Sequence, residues 1–520
     1  MRNLIILLIS PLFLVSITFG DEIWRGDLNK LIAATSTSEQ DSLIAKIARE
    51  NPSWQQLREA LSSLTYPRNE TDKFVLEKSA CIDNIERPYV IYIPPSYSPD
   101  ISTTLVVFLH GSVSRADIRP DPVGWARNIP IVKTAEKEGW ILLFPFGQAG
   151  ATWWDDVGIS NVLNQIRLAK TNYNIDDNRV FLSGFSDGGS AAYMFAMALP
   201  SDFAGFIALN GNMGVASHDG NLPTYASNFI NTPVYAVSTD KDQLYPTAET
   251  ERFIAMAQSA GAKIEYRKLS GEHSFSYADS ELPLITNWVK KQVRDPFPNE
   301  LFWEAALPGF GVCHWFAIDE ITDAAPAAWY HDYNAAYIDS SITIGIIPDD
   351  EYTGTGVRVA NAVDGDYLSR RIGLQAGDII IKAGGIAVKD MDSLAAFKRT
   401  LRRGDPVSLV IRRDNSELTL RGRMPANENY FLFKRDQPSA AARVSVNDNT
   451  VDIESSRLGA FRIFINPEMF DLDRKIIIRV DGKLVYNSTA GPDISYLLHD
   501  FLLNRDRRIL YVNEIAVNLK

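Results

Sequence analysis

A series of short apolar runs between residues 88 and 240 constrains the fold of this chain more than any other feature. The runs are PYVIYI, TLVVFL, WILLF, RVFLSG, FAGFIAL and PVYAVS, and segments with helical spacing of apolar residues separate them. Strands that are apolar along their whole length are buried on both faces, which is typical of a parallel sheet covered by helices. The sequence therefore predicts an α/β domain with a mostly parallel sheet over residues 70–292.

The length of 520 residues requires further domains, because a single hydrophobic core rarely grows beyond about 250–300 residues. Apolar residues at helical spacing predict a helical segment over residues 21–69. The proline-containing DPFPNE begins a linker or β-module segment over residues 293–337. Residues 338–424 form another compact unit. Alternating residues over 425–520 predict a sandwich-like all-β module interrupted by one helix, and we expect it to pair with the segment before the inserted unit.

The first twenty residues have the layout of a secretory signal peptide. Arg2 precedes an apolar run from Leu4 to Val15, and small residues precede Asp21, where cleavage is expected. A single membrane anchor is the alternative, although the run is short for a span and no basic stop signal flanks it. We therefore expect residues 1–20 to be removed and the protein to be exported to a periplasm or the extracellular space, with no membrane span afterwards.

Charge and cysteine usage exclude several classes of protein. The chain has 52 Lys and Arg against 64 Asp and Glu, a net charge of -12, which argues against nucleic acid as a partner. Cys81 and Cys313 are its only cysteines, so a disulfide framework is excluded, while one bridge or two buried free thiols both remain open. The six histidines show no metal-ligand spacing, so neither a metal nor a cofactor is expected.

A G-x-S-x-G motif, GFSDG at residues 184–188, follows one of the predicted buried strands and precedes a predicted helix. This setting places a serine on a tight strand-to-helix turn, where glycines allow the backbone to pass close to its neighbours. Ser186 is thus a candidate nucleophile. The backbone N–H of Asp187, with that of Ser112 in the HGS segment after an earlier strand, would form an oxyanion hole.

A serine nucleophile needs a base and an acid that orients the base. His273 lies in the polar loop GEHSF after the strand-like run KIEYRKL, and it is the best-placed histidine, although a surface-loop role is the alternative. Asp242 in DQLYP is the preferred acid, and Asp240 remains the alternative. Trp153 and Trp154 are candidate walls of a pocket for an acyl or aromatic group, with core packing as the alternative.

The order Ser186, Asp242, His273 and the FLHG segment resemble the α/β-hydrolase superfamily. The segments RPYVIYIPPSY, WWDD and RVFLSGFSDGGSAAYMFA resemble its polyhydroxybutyrate depolymerase and feruloyl esterase-like branch, with a core shared by prolyl-oligopeptidase-like peptidases. The resemblance implies two-step acyl transfer without a cofactor. Asp187 departs from the Asn or Met often found there, and an acidic side chain beside the nucleophile would make the pocket less welcoming to anionic substrates.

Residues 338–424 resemble a PDZ domain of the kind attached to bacterial envelope proteases. The similarity rests on ITIGII, on the segment from GVRVANAV to FKRTL with its Gly-Asp after IGLQA, and on VSLVIRR. It implies binding of a peptide carboxyl terminus by strand addition near Ile344, Gly345 and Ile346, with a groove helix near residues 391–401. A groove filled by residues of this chain is the alternative.

These observations favour an exported serine hydrolase that cleaves carboxylic esters and carries a PDZ domain for docking of a peptide or of part of its own chain. A serine peptidase of the prolyl-oligopeptidase type is the second hypothesis. A catalytically inactive scaffold that binds peptide ends through its PDZ domain is the third.

Overall fold

The structure, a computed structural model, describes residues 19–339 and 341–520. The predicted signal peptide, residues 1–20, lies outside the described residues except for its last two positions. In the part of the chain that the structure describes, no helix is long and apolar enough to cross a membrane. The chain divides into two compact units, Met1–Leu64 with Gly491–Asn513 and Thr65–Ala490 with Glu514–Lys520.

The first unit is helical. Its helices are α1 (Phe19–Ala33), α2 (Thr37–Glu50), α3 (Trp54–Ser62) and, late in the chain, α13 (Ile494–Asn504). Asn51 ends α2 in the left-handed region, and Ser53 begins α3 with a capping box completed by Gln56. Apolar residues at helical spacing, among them Ile47 and Leu57, are buried and form its interior.

The second unit contains an eight-stranded sheet. Its strands are β1 (Lys73–Ala80), β2 (Glu86–Ile93), β3 (Thr103–Leu109), β4 (Ile141–Pro145), β5 (Ile175–Phe185), β6 (Gly205–Leu209), β7 (Val234–Thr239) and β8 (Ile264–Leu269). They are arranged in the order β1-β2-β4-β3-β5-β6-β7-β8, with β1 and β2 antiparallel to their neighbours and the other strands parallel. The predicted mostly parallel sheet is confirmed.

Helices cover both faces of this sheet. They are α4 (Pro122–Arg127), α5 (Ile131–Glu138), α6 (Asp156–Asn172), α7 (Asp187–Ala198), α8 (Val215–Asp219), α9 (Thr247–Ser259), α10 (Ala278–Lys291) and the 3-10 helix Ala226–Ile230. Phe181 and Leu182 are adjacent on β5 and fully buried, yet they belong to different hydrophobic clusters. Each face therefore has its own core, which is why the strands are apolar throughout.

A six-stranded sheet with two helices follows within the same unit. Its elements are β13 (Ile346–Pro348), β14 (Val357–Ala362), α11 (Leu368–Ile372), β15 (Ile379–Ala383), β16 (Ile386–Ala387), α12 (Met391–Lys398), β17 (Pro406–Arg413) and β18 (Ser416–Arg423). A short ribbon of β12 (Ala336–Ile338) and β19 (Asn429–Phe431) pairs the chain before this subdomain with the chain after it. The strand β13 lies at an edge of the sheet.

The remaining strands form two sheets. The five-stranded sheet has the order β24-β23-β21-β20-β9, and the four-stranded sheet has the order β10-β11-β22-β25. Their bounds are β9 (Glu300–Ala305), β10 (Val312–Cys313), β11 (Phe316–Ile321), β20 (Ala440–Asn447), β21 (Thr450–Ser456), β22 (Leu458–Ile465), β23 (Ile476–Val480), β24 (Lys483–Ser488) and β25 (Asn513–Asn518), with the 3-10 helix Pro308–Phe310. Strands from before the inserted subdomain thus pair with strands from after it.

The two cysteines, Cys81 and Cys313, are both buried free thiols.

Candidate active site

Ser186 lies between the end of β5 and the start of α7. Its backbone angles, φ 60° and ψ -118°, are strained for a residue with a side chain. The turn depends on its two motif glycines: a Cβ added to Gly184 would lie 2.4 Å from the carbonyl carbon of Gly188, and one added to Gly188 would lie 2.0 Å from the carbonyl oxygen of Leu109. The local sequence therefore holds the serine at the carboxyl end of the central strand.

His273 connects this serine to a carboxylate. Its Nε2 lies 2.8 Å from Ser186 Oγ, and its Nδ1 lies 2.7 Å from Asp242 Oδ2. Because a carboxylate only accepts, the Nδ1–H donates to Asp242, and this leaves Nε2 to accept from the serine hydroxyl. Asp242 and His273 lie in the loops that follow β7 and β8, so the sheet brings together residues separated by up to 87 positions.

The carboxylate of Asp242 is buried and fully partnered. Its Oδ1 accepts the backbone N–H groups of Leu244 and Tyr245, both at 2.9 Å, and its Oδ2 also accepts the Asn210 amide at 2.9 Å. Burial raises the pKa of Asp242. The hydrogen bond and charge of His273, together with these donors, outweigh burial and hold the pKa below its ordinary value. The Asp242 carboxylate is therefore ionised at neutral pH.

The alternative acid, Asp240, lies apart from this relay. Its Oδ1 accepts the backbone N–H of Gly271 at 3.0 Å, and its side chain is exposed. The structure thus brings Asp242, and not Asp240, to His273. Asn210 was not predicted from the sequence; it is buried, has a positive φ of 45°, and its Oδ1 accepts the hydroxyl of Tyr277 at 2.7 Å.

Two stretches of backbone lie next to Ser186, the start of α7 and the loop that contains Gly111 and Ser112. Asp187 begins α7, so its N–H has no acceptor within the helix. The loop with Gly111 and Ser112 passes so close that a Cβ on Gly111 would lie 2.8 Å from Ser186 Cβ. Ser112 has a positive φ of 55°, which turns this loop sharply over the serine.

The side chain of Asp187 faces the same loop. Its Oδ2 accepts the backbone N–H of Val113 at 2.8 Å, and its Oδ1 accepts the Tyr245 hydroxyl at 3.3 Å. Burial raises the pKa of Asp187, while the N–H groups of Val113 and Ser112 and the Tyr245 hydroxyl act in the opposite direction. These donors stabilise the charged form of the carboxylate, and the expectation that it disfavours anionic substrates stays a prediction.

His110, directly before this loop, packs against Trp153, with ring centroids 4.9 Å apart. The Trp153 indole N–H donates to the carbonyl of His110 at 2.9 Å, and the imidazole of His110 accepts the N–H of Gly147 at 3.1 Å. Burial lowers the pKa of His110 to about 3, so the ring is neutral. Trp153 and Trp154 are both buried in the core, which favours the packing alternative over a role as pocket walls.

Aromatic rings flank His273 instead. The ring centroids of Phe185 and Tyr245 lie 5.2 Å and 5.4 Å from that of His273. Both side chains are partly exposed, so they offer apolar surface next to the serine. Neither ring was predicted from the sequence, although Tyr245 lies in the DQLYP segment that also carries Asp242, and that proximity could have pointed to it.

The segment predicted to hold a peptide terminus leads into the edge strand β13. Ile344 is buried, and Gly345 has a φ of 78°, followed by the start of β13 at Ile346. The N–H of Gly345 donates to Thr343 Oγ1 at 3.2 Å, and the side chain of Tyr367 lies over the Gly345 Cα, where a Cβ would approach to 2.2 Å. A side chain at position 345 would therefore clash with Tyr367, which explains the glycine there.

A separate cleft of about 1350 Å³ lies between the large sheet and the C-terminal sheets. Phe302, Trp329 and Arg443 are among the residues that line it, and the relay residues are not. Within residues 19–339 and 341–520, no group of three or more His, Cys, Asp or Glu side chains is arranged to hold a metal ion.

The sheet order and the serine, histidine and aspartate at its carboxyl edge define an α/β-hydrolase. Residues 158–292 match the phospholipase/carboxylesterase family, and residues 342–421 match the PDZ domain family. The chain therefore contains a carboxylesterase-type hydrolase domain and a PDZ domain, and both resemblances stated from the sequence are confirmed.

Three of the individual proteins that are similar to this chain are named as esterases. A bifunctional acetylxylan esterase/xylanase from Neocallimastix patriciarum is 25% identical over 170 residues, and the match covers 32% of this chain and 22% of that protein. Among solved structures, a thermostable esterase is 21% identical with a TM-score of 0.35, and the match covers 43% of this chain and 64% of that esterase's chain. Esterase 2 of Thermogutta terrifontis is 17% identical with a TM-score of 0.35, and the match covers 44% of this chain and 97% of that esterase's chain.

Proposed function

We propose that this chain is an exported carboxylesterase in which Ser186 is the nucleophile, His273 the general base and Asp242 the residue that orients the base. The observation that carries the proposal is the continuous relay, with 2.7 Å between Asp242 Oδ2 and His273 Nδ1 and 2.8 Å between His273 Nε2 and Ser186 Oγ. These distances fall within the hydrogen-bond range that nucleophile activation needs.

The relay supports acyl transfer in two steps. His273 takes the proton of Ser186 while Oγ attacks the ester carbonyl carbon, and Asp242 stabilises the imidazolium that forms. The imidazolium then gives its proton to the departing alcohol, leaving an acyl group on Ser186. A water molecule, activated by the same histidine, attacks the acyl carbon and releases the carboxylic acid.

The negative oxygen of each tetrahedral intermediate needs fixed donors. We propose the backbone N–H of Asp187, at the start of α7, together with that of Ser112. The close approach of the Gly111 loop to Ser186 supports this placement. Donors of this kind are worth about 10²- to 10³-fold in kcat each.

A substrate panel tests the activity. The purified full-length protein and its Ser186→Ala variant are assayed with short acyl esters and with matched peptide amides. We expect hydrolysis of the esters by the wild type alone. Ester hydrolysis that survives in Ser186→Ala contradicts the assignment, cleavage of amides with equal efficiency favours the peptidase hypothesis, and no hydrolysis of either favours the inactive scaffold.

We further propose that the PDZ domain binds an extended peptide along β13. This strand lies at a sheet edge, so its outer hydrogen-bonding groups face away from β14, and Ile344, Gly345 and Ile346 form the end that would hold a carboxylate. Peptide display against the full-length protein tests this. We expect enrichment of carboxyl-terminal sequences that is lost when the displayed carboxylate is amidated; an absence of enrichment contradicts it.

We also propose that the protein is exported after cleavage of residues 1–20, and that the rest of the chain forms four domains. The layout of residues 1–20 supports a cleaved signal peptide, and amino-terminal sequencing of the mature protein is expected to begin at Asp21. A mature protein that retains Met1 contradicts cleavage. The proposed domains are residues 21–69, 70–292, 338–424 and 425–520, with residues 293–337 contributing strands to the last of them.

A further inference from the structure

The end of β6 is hydrogen-bonded on one side to the nucleophile and on the other to the acid of the proposed relay. The carbonyl oxygen of Leu209, the last residue of this strand, accepts the backbone N–H of Ser186 at 2.9 Å. The next residue, Asn210, donates from Nδ2 to Asp242 Oδ2 at 2.9 Å, the same oxygen that accepts from His273. Because β6 lies between β5 and β7, these two residues lie between the nucleophile and the acid.

The side chain of Asn210 also supports the loop that carries the base. A primary amide has two N–H groups, and Nδ2 donates a second hydrogen bond to Thr239 Oγ1 at 2.6 Å. The Thr239 hydroxyl in turn donates to the carbonyl oxygen of Glu272 at 2.8 Å, and Glu272 directly precedes His273. One amide therefore holds the acid directly and the segment before the base through one intermediate hydroxyl.

Tyr277 determines which way this amide points. Its hydroxyl donates to Asn210 Oδ1 at 2.7 Å, so the amide oxygen faces Tyr277 and Nδ2 faces Asp242, which as a carboxylate can only accept. Burial raises the pKa of Tyr277, so its hydroxyl keeps its proton and stays a donor at neutral pH. The oxygen and both N–H groups of the amide are thus occupied, which allows one orientation.

We propose that Asn210 is a positioning residue for the catalytic relay and that Tyr277 orients it. Holding Asp242 Oδ2 in place keeps this oxygen in line with the Nδ1–H of His273, and the base then presents Nε2 to the serine. Both residues act through the acid and not on the substrate, so they should affect kcat and not KM. This inference rests on the proposed function, because it assigns a role within the same relay.

A matched pair of Tyr→Phe variants tests the role of Tyr277. Tyr277→Phe removes the hydroxyl that orients Asn210, and Tyr235→Phe removes another buried hydroxyl, which donates to Glu281 at 2.6 Å. Each full-length variant is assayed for hydrolysis of 4-nitrophenyl acetate and for the rate at which a fluorophosphonate labels Ser186. Denaturant unfolding measures the stability that each variant loses.

We expect Tyr277→Phe to lower kcat by about 3- to 10-fold with little change in KM, because a hydrogen bond that holds the relay is lost. The labelling rate of Ser186 should fall by a similar factor. Tyr235→Phe should keep both rates within about twofold of the wild type while losing comparable stability. Equal rates in the two variants would mean that Tyr277 has only a structural role.

Asn210→Asp tests the amide itself, since Asp tolerates the positive φ of 45° at this position as Asn does. The new carboxyl group can donate to Asp242 only while it is protonated, and once ionised it repels that acid. The titratable groups bonded to residue 210 are Asp242 and Tyr277, and the raised pKa of Tyr277 keeps its hydroxyl neutral. We therefore expect kcat and the labelling rate, each relative to the wild type, to fall by about tenfold as pH rises from about 5.5 to about 8.5. Asn231→Asp, at another amide that donates to two oxygens, should give ratios that do not change with pH.

Two results overturn the inference and leave the esterase proposal in place: equal rates in Tyr277→Phe and Tyr235→Phe, or ratios for Asn210→Asp that do not change with pH. If Ser186 of the wild type is labelled but no ester is hydrolysed, the esterase proposal alone fails, and the labelling rates of the variants still test the role of Asn210. A wild type that is neither labelled nor active contradicts both.

Discussion

The carboxylate of Asp187 accepts a hydrogen bond from the backbone N–H of Val113 at 2.8 Å, across 74 positions of sequence. This bond connects the residue after the nucleophile to the loop that faces it. Because the neighbouring Ser112 is a proposed oxyanion donor, the position of that donor depends on Asp187. We therefore propose Asp187 as a positioning residue.

Replacing Asp187 by Asn should therefore lower kcat. The Asn side chain keeps the size but loses the charge and one acceptor, so the bonds to Val113 and Tyr245 weaken. We expect a loss of about 10- to 100-fold in kcat with little change in KM, corresponding to a weakened charge-assisted hydrogen bond. Asp156→Asn, at an exposed first-turn position of α6, is the matched control and should change kcat by less than about twofold. Equal effects of the two variants would contradict this role.

The two aspartates after β7 provide a second matched pair. Asp242→Asn removes the carboxylate that fixes the His273 tautomer, so kcat should fall by about 10³- to 10⁴-fold. Asp240→Asn changes an exposed group that bonds to Gly271, and its kcat should stay within about threefold of the wild type. Steady-state kinetics on one short ester compares them. A large loss of kcat in Asp240→Asn together with a small loss in Asp242→Asn would show that Asp240, and not Asp242, is the acid.

Gly111→Ala should separate activity from gross folding. The added Cβ would meet Ser186 Cβ at 2.8 Å and the Phe185 carbonyl oxygen at 3.2 Å, so the loop must move away from the serine. We expect kcat to fall by about 10²-fold or more, as for loss of an oxyanion donor. Gly309→Ala, where nothing lies within 4 Å of the new Cβ, is the control. Wild-type kcat in Gly111→Ala would show that the loop contributes no donor.

Two buried histidines should make stability fall in mild acid. Burial lowers the pKa of His110 and of His314 to about 3, from an ordinary value of 6.5. Below pH 6.5 the unfolded chain binds protons that the folded chain does not, so stability is lost as pH falls from 6.5 towards 3. Each histidine contributes a slope of up to about 1.4 kcal/mol per pH unit.

Denaturant unfolding between pH 4.5 and pH 7 measures this slope. His314→Asn should reduce it, because that variant has no imidazole to protonate in the unfolded state. Asn also tolerates the positive φ of 50° at this position. His331→Asn changes an exposed histidine and should leave the slope as in the wild type. An unchanged slope in His314→Asn would contradict the assignment.

The sheet was predictable because its strands are apolar on both faces, as Phe181 and Leu182 show. The relay residues were predictable for a related reason: Ser186, Asp242 and His273 each follow such a strand, and parallel strands bring their carboxyl ends to one edge. The same reasoning did not separate Asp240 from Asp242, because both follow β7. Only the path of the loop decides which carboxylate meets the imidazole.

Contacts between distant segments could not be derived from local patterns. Asn210 follows β6 without any motif, and its side chain bonds to Asp242. Its backbone has a positive φ, which the residue type alone does not predict. The ion pair of Arg399 with Glu272 depends on how one domain packs against another, across 127 positions. The tryptophans were ambiguous for the same reason, since an indole can line a pocket or fill a core.

Labelling with a fluorophosphonate probe asks whether Ser186 is an activated nucleophile. The probe reacts with a serine only when a base activates it, so the full-length protein is treated, digested and mapped by mass spectrometry, with His273→Ala as a variant that removes the base. We expect one labelled peptide, containing Ser186, in the wild type and none in His273→Ala. An unlabelled wild-type protein, or a label on another serine, would contradict it.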